Sequence, residues 1–151
     1  MRKILTLIFA LLTLSLFSQI YNPVSWEFSQ SKISDSEIEL QFKANIEKGW
    51  HLYSQDIPES PPATAFTFII NGDTSIKVLE ESESIQQYDP NFDMVLKYFS
   101  NEAIFKHNIK IQEGENFKVE GYVDFMVCDD AQCLPPDYVE FSFDIRESLV
   151  K

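Results

Sequence analysis

The sequence predicts an all-β protein, an antiparallel β-sandwich forming a single domain, and three observations carry that prediction. Four segments alternate apolar and polar residues with period two over eight residues or more. Turn-forming Gly, Pro, Asn and Asp separate the candidate strands. No run of helical period exceeds two turns. About eight short, half-buried strands in one chain of this length are the pattern of a sandwich.

The elements follow in chain order. Residues 24–28 are a short apolar strand candidate. Residues 37–44 alternate without error, with Ile38, Leu40, Phe42 and Ala44 on one face and Glu37, Glu39, Gln41 and Lys43 on the other. Residues 50–53, 66–70 and 76–79 are shorter candidates. Asn71-Gly72-Asp73 and the proline-bearing stretch 58–62 supply turns. Residues 82–101 read as a long irregular connection, and Glu80-Glu81-Ser82-Glu83 at its start as a solvated loop edge. Residues 103–111, 117–125 and 138–145 alternate again, the last with Val139, Phe141, Phe143 and Ile145 inward. The turn 113–116 separates the first two, and Pro135-Pro136 leads into the third, since proline holds its predecessor extended. Trp26 and Trp50 read as core anchors.

The N-terminus has the order of a secretory signal peptide. Met1-Arg2-Lys3 is basic, residues 4–17 form an almost unbroken apolar run, and Ser18-Gln19 restores polarity. The run falls short of the roughly 20 residues a spanning helix needs. Residues 1–19 are therefore expected to be a leader cleaved after Ser18 or Gln19, with a retained N-terminal membrane anchor as the alternative, and residues 20–151 the exported domain. No cysteine stands near the cleavage region, which argues against a lipid anchor. Export delivers the domain to a place where disulfides form and persist.

Without Arg2 and Lys3, 10 basic residues face 24 acidic ones, a formal charge of −14. Nucleic acid and anionic lipid surfaces are poor partners for such a chain. Its 13 Phe and 6 Tyr argue for a packed core rather than disorder. The acidic surface serves solubility or selects partners with a basic rim.

Two cysteines are the whole supply, Cys128 and Cys133, inside Phe125-Met-Val-Cys-Asp-Asp-Ala-Gln-Cys-Leu-Pro-Pro136. They are close enough to bridge a tight turn. A loop this short is worth only roughly 2 kcal/mol in the chain-entropy account. A brace across a sandwich would join distant residues, so chemistry is the better reason for the pair. The irregular stretch 82–101 carries Tyr88, Phe92, Tyr98 and Phe99, more aromatic surface than a polar loop requires. These rings either plug the open end of the sandwich or fold over the cysteines and control access.

Gly49-Trp-His-Leu-Tyr-Ser-Gln55, the aromatic stretch, and Gly121-Tyr-Val-Asp-Phe-Met-Val-Cys-Asp-Asp-Ala-Gln-Cys-Leu-Pro-Pro136 with its closing strand resemble the N-terminal domain of DsbD. DsbD is a membrane thiol:disulfide interchange protein. The resemblance runs from about Pro23 to Ile145, and its most specific part is Cys-x4-Cys-Leu-Pro-Pro. It implies an immunoglobulin-like sandwich in the periplasm with the cysteine pair on a hairpin at one end. It implies a domain that takes electrons from a thioredoxin-like donor and passes them to oxidised exported thiol proteins, with no cofactor, metal or nucleic acid. Disulfide isomerases, cytochrome c maturation factors and peroxide-reducing proteins are acceptors the resemblance allows.

By the same resemblance Cys133 forms the mixed disulfide and Cys128 resolves it. A loop aromatic shields the pair, at Tyr98 or Phe99 with Phe92 as competitor. Family tyrosines near the cysteines correspond to His51, a substitution, and Tyr53. Two departures stand out. Family members continue into a membrane domain and a thioredoxin-like domain, so the donor and the membrane electron carrier are expected on separate chains, the alternative being that this chain is a fragment of a longer protein. Some members also space the cysteines one residue wider.

Asp129 and Asp130 are like charges expected to raise a neighbouring thiol pKa, which a His51 imidazolium beside Cys133 would offset. The rival readings are a binding sandwich that holds clients at a strand edge around a structural disulfide, and a metal site built from the cysteines with His51 or His107. No clustered Cys/His spacing supports the metal, and no Gly-x-Ser-x-Gly element supports a hydrolase.

Overall fold

A computed structural model describes residues 21–69, 73–76, 78–80, 82–112 and 116–146. The expected leader 1–19 lies outside the described residues, as do positions 71–72 and 113–115 of two expected turns.

The alternating segments form the strands of two facing sheets. In the first, β1 (Val24–Ser34), β2 (Glu37–Ile46), β9 (Glu102–Lys110) and β6 (Leu79–Glu80) lie in the order β1-β2-β9-β6. In the second, β12 (Asp137–Ile145), β10 (Phe117–Phe125), β4 (Ala65–Ile69) and β5 (Asp73–Ile76) lie in the order β12-β10-β4-β5. Every pairing is antiparallel. Ile38, Leu40, Phe42, Ala44 and Ile46 of β2 are buried at alternate positions, as period two requires. Phe42 meets Phe66 and Phe68 of β4 and Phe141 and Phe143 of β12, with ring centroids 4.9–6.0 Å apart. Those contacts join the sheets face to face, which makes the all-β chain an antiparallel sandwich. Each fully buried ring contributes about 1.5–3 kcal/mol of apolar burial. Trp50 is buried in this core and the half-buried Trp26 packs against it.

Gly121 of β10 lies between Phe68 and Phe141 in the ladder. A Cβ there would run into the Thr67 carbonyl and the Phe141 ring, so close approach demands glycine.

A third, smaller sheet caps one end. It is built from β11 (Val127–Cys128), β3 (His51–Tyr53), β8 (Met94–Ser100) and β7 (Ile85–Asp89), in the order β11-β3-β8-β7. Much of it is covered on both faces. Leu52, Phe99 and Val127 point into the sandwich core, while Tyr53, Leu96 and Cys128 form a second cluster with Met126.

Three expectations are corrected here. The stretch 82–101 is a β-hairpin, not an irregular connection. Strand β8 buries residues on both faces and β7 exposes every residue but Asp89, so neither shows the alternation of a half-buried strand. The candidate 76–79 is two strands in two sheets. Between them Val78 is buried, and its N–H donates to the Gln55 side chain at 3.1 Å instead of joining a ladder. Glu80 is no solvated edge either. Its carboxylate accepts hydrogen bonds from the Ser54 hydroxyl and the Gln55 N–H, both at 2.8 Å, and pairs with Lys97 at 3.2 Å. That junction ties the small sheet to the sandwich.

Candidate functional site

Phe125 ends β10, and the chain continues through Met126 into β11 and then turns back on itself. The Asp129 N–H donates to the Gln132 carbonyl at 2.9 Å and the Leu134 N–H to the Val127 carbonyl at 3.0 Å. The Asp129 carboxylate accepts the N–H groups of Ala131 and Gln132 at 2.8 and 2.7 Å. Asp is the residue that closes such a turn on its own backbone. The two amides, Ala131 first, hold the Asp129 carboxyl below the usual carboxylate range. Its charge thus stabilises the turn itself. Cys128 and Cys133 meet across this turn as an antiparallel bridge and are joined by a disulfide, with Cα atoms 4.0 Å apart. Cys128 is fully buried and Cys133 is partly exposed.

The small sheet sets aromatic and polar groups around the pair. Cys128 lies opposite His51, Tyr53 opposite Tyr98, and Leu52 opposite Phe99. Residues directly opposite in a ladder share a face, so His51, Tyr53 and Tyr98 stand on the cysteine side and Leu52 and Phe99 on the core side. Phe92, in the turn between β7 and β8, packs on the cluster that holds both cysteines, its ring 5.9 Å from that of Tyr53. Tyr98 packs on the same cluster and lies 4.4 Å from the His51 ring. Phe99 is fully buried against Phe105 in the sandwich. His107 packs on Phe68, in the sandwich. Among the described residues no group of three or more His, Cys, Asp or Glu side chains is gathered as metal ligands.

Asp89 and Asn91 are the members that sequence reasoning missed. Asp89 is the last residue of β7 and only 1 % exposed. Its Oδ2 accepts the Tyr53 hydroxyl at 2.5 Å and lies 3.2 Å from His51 Nε2, and its Oδ1 accepts the Asn91 N–H at 2.8 Å. Burial works against this charge, but Tyr53, the Asn91 amide and His51 outweigh it and hold the carboxyl below the usual range. Burial, then Asp89, pushes the Tyr53 hydroxyl far above the ordinary tyrosine value. Burial pulls the His51 imidazole below its ordinary value against the opposing pull of Asp89. Asn91 reaches across from the hairpin and donates to the Asp129 carbonyl at 2.9 Å. The Asp-Pro-Asn run at residues 89–91 carried a turn signal that, followed through, marks Asp89 as a turn-closing carboxylate.

A lone disulfide on a tight turn, with one cysteine buried and the other partly exposed beside packed aromatic rings, is the arrangement of a thiol–disulfide redox domain. The chain belongs to the family described as thiol:disulfide interchange protein DsbD, N-terminal, which it matches over residues 22–145. Two solved structures are similar to it. One is the reduced N-terminal domain of DsbD from Neisseria meningitidis, at 17 % identity over 79 % of this chain and 83 % of that one, with a TM-score of 0.48. The other is a DUF4426 family protein from Pseudomonas aeruginosa, at 13 % identity over 85 % and 96 %, with a TM-score of 0.34. No curated protein matches the chain significantly. Family membership carries a role in thiol:disulfide interchange with thiol redox partners, in a periplasmic family.

Proposed function

We propose that the domain relays reducing equivalents from a thioredoxin-like donor to oxidised exported proteins through the Cys128–Cys133 pair. The supporting observation is the contrast in burial: Cys128 is fully buried, and Cys133 is the partly exposed sulfur. A donor thiolate attacks Cys133 Sγ, and the Cys128–Cys133 bond breaks with its electron pair on Cys128. The donor's second thiol then attacks the mixed disulfide and leaves Cys133 reduced. In the second half-reaction Cys133 attacks a client disulfide. Cys128 resolves the adduct, so two electrons leave with the client and the internal bond re-forms. Phe92 and Tyr98, packed on the cluster that holds both cysteines, cover the pair until a partner displaces them. The leader 1–19 delivers the domain to the periplasm, and N-terminal sequencing of the exported protein checks it, with residue 19 or 20 expected first.

Single-cysteine variants test the relay. Incubated with a thioredoxin-like donor that lacks its second cysteine, oxidised wild-type protein and disulfide-charged Cys128→Ala should accumulate a covalent adduct, and Cys133→Ala should not. The pair should equilibrate in graded thiol buffers between about −180 and −270 mV, the span of exchange proteins. A potential below about −300 mV would mark a structural disulfide and leave a client-binding sandwich.

A further inference from the structure

The relay asks something difficult of Cys128. The sulfur that resolves the mixed disulfide is the fully buried one, and a thiol buried among apolar groups ionises reluctantly. Its immediate partners in the cluster are Tyr53, Leu96 and Met126, none of which accepts a proton at neutral pH. Across the ladder, however, Cys128 is paired with His51, on the same face of adjacent strands.

The hydrogen bonds around His51 settle which of its nitrogens is bare. Tyr53 donates its hydroxyl hydrogen to Asp89 Oδ2 at 2.5 Å. His51 Nε2 lies 3.2 Å from that same oxygen and 3.3 Å from the Tyr53 oxygen. With Asp89 ionised, both neighbours of Nε2 are acceptors, so Nε2 carries the hydrogen and Nδ1 keeps a free lone pair. The imidazole is held by the buried carboxylate at Nε2 and packs against the tilted Tyr98 ring, with centroids 4.4 Å apart. An aspartate that fixes the tautomer and orientation of a histidine is the arrangement that makes a histidine a base.

We propose that His51 is the general base for Cys128, taking the thiol proton as Cys128 resolves the mixed disulfide on Cys133. The proposal rests on the relay reading above, in which Cys133 carries the adduct. The step balances. The S–H bond of Cys128 breaks as its proton passes to His51 Nδ1, and the Cys128 sulfur attacks Cys133 Sγ. The Cys128–Cys133 bond forms as the bond from Cys133 to the partner sulfur breaks, and that sulfur leaves with the electron pair. The imidazolium, briefly paired with Asp89, then releases its proton to water. In the opposite half-reaction the same imidazole returns a proton to Cys128 as the disulfide opens. Burial keeps the imidazole uncharged at neutral pH, which a base requires. The titratable and charged groups that bear on it are Tyr53 on its own strand, Cys128 on β11, Tyr98 on β8, Asp89 on β7, and Asp129 and Asp130 on the cysteine turn.

The test uses the reduced full domain and an aromatic disulfide reagent whose thiol product absorbs visible light. Attack by Cys133 releases the first equivalent of product, and resolution by Cys128 releases the second. With His51→Gln, which keeps a donor toward Asp89 and removes the base, the first phase should be unchanged. The second should slow at least about tenfold at pH 7, within the usual worth of a general base. In wild-type protein the second phase should rise with pH only below about 6.5, since burial holds His51 under the ordinary imidazole value, and should be level above it. That profile needs no variant, so it decides the matter even if His51→Gln folds poorly. An unchanged second phase in His51→Gln, or a wild-type profile that keeps climbing through the ordinary thiol range near about 8.5, overturns the role of His51. Loss of the first phase in wild-type protein overturns instead the relay reading on which it rests.

Discussion

Phe42 and Tyr53 are equally buried, and their surroundings are opposite in kind. Phe42 lies among five other phenylalanine rings at 4.9–6.0 Å. Tyr53 packs with Leu96, Met126 and Cys128, and its hydroxyl is spent on a buried carboxylate. The sandwich interior is wide, apolar and closed by both sheets. The cluster at the disulfide is small, is roofed by one hairpin turn, and contains a charge. Stability resides in the first, where apolar burial needs no partner geometry. The second is where the proposed cover over the disulfide would be held, by a few hydrogen bonds rather than by a broad apolar interior.

Substitutions should separate the two regions, and the largest effect belongs to the sandwich. Phe42→Ala should cost about 3–5 kcal/mol, read by urea denaturation, with the rate of disulfide exchange per folded molecule unchanged. If exchange falls in step with stability, the two regions are not independent. Asp89→Ala should cost less, about 2 kcal/mol, since it leaves the Tyr53 hydroxyl without its acceptor. It should also speed reduction of the disulfide by dithiothreitol several-fold, because the β7 end of the hairpin and the turn that carries Phe92 lose their side-chain tie to Tyr53 and His51, although β8 stays paired with β3. Phe92→Ala should cost about 1 kcal/mol of partly buried ring surface and still raise that reduction rate. An unchanged rate would remove Phe92 from the cover.

Acidification gives the smallest change and acts first through the histidines. Burial lowers the pKa of both His51 and His107. As pH falls below about 6.5 the unfolded chain binds protons that the folded one refuses, so stability present above that value declines toward their folded values. Asp89, also lowered, adds its loss only below about pH 3.9. Melting temperature measured from pH 8 to pH 3 should therefore fall in two stages, and His51→Gln should flatten the first.

The sandwich was legible because its strands have one wet face. The sequence expectation for 117–125 coincides with β10 to the residue. The small sheet was not legible for the same physical reason inverted. In Met94-Val-Leu-Lys-Tyr-Phe-Ser100 the core takes Phe99 and the site takes Leu96 and Tyr98, so a buried residue falls on each face and alternation disappears. The cysteines announced themselves by their spacing, whereas Asp89 looked like any loop aspartate. Its importance comes from Tyr53 and His51, which lie 36 and 38 residues away in sequence, and local patterns carry no information at that range.

Strand β3 has no solvent-facing position: His51, Leu52 and Tyr53 are all buried, alternately toward the disulfide and toward the sandwich. Any replacement there is felt by one region or the other, so the strand has almost no room for neutral drift. Four of the five residues of β7, Ile85-Gln-Gln-Tyr88, face water, at the edge of the same sheet and leading directly into the turn that carries Phe92. Substitutions at those four positions should therefore be tolerated where substitutions in β3 are not, which puts the permissive surface one strand's width from the buried groups around the disulfide.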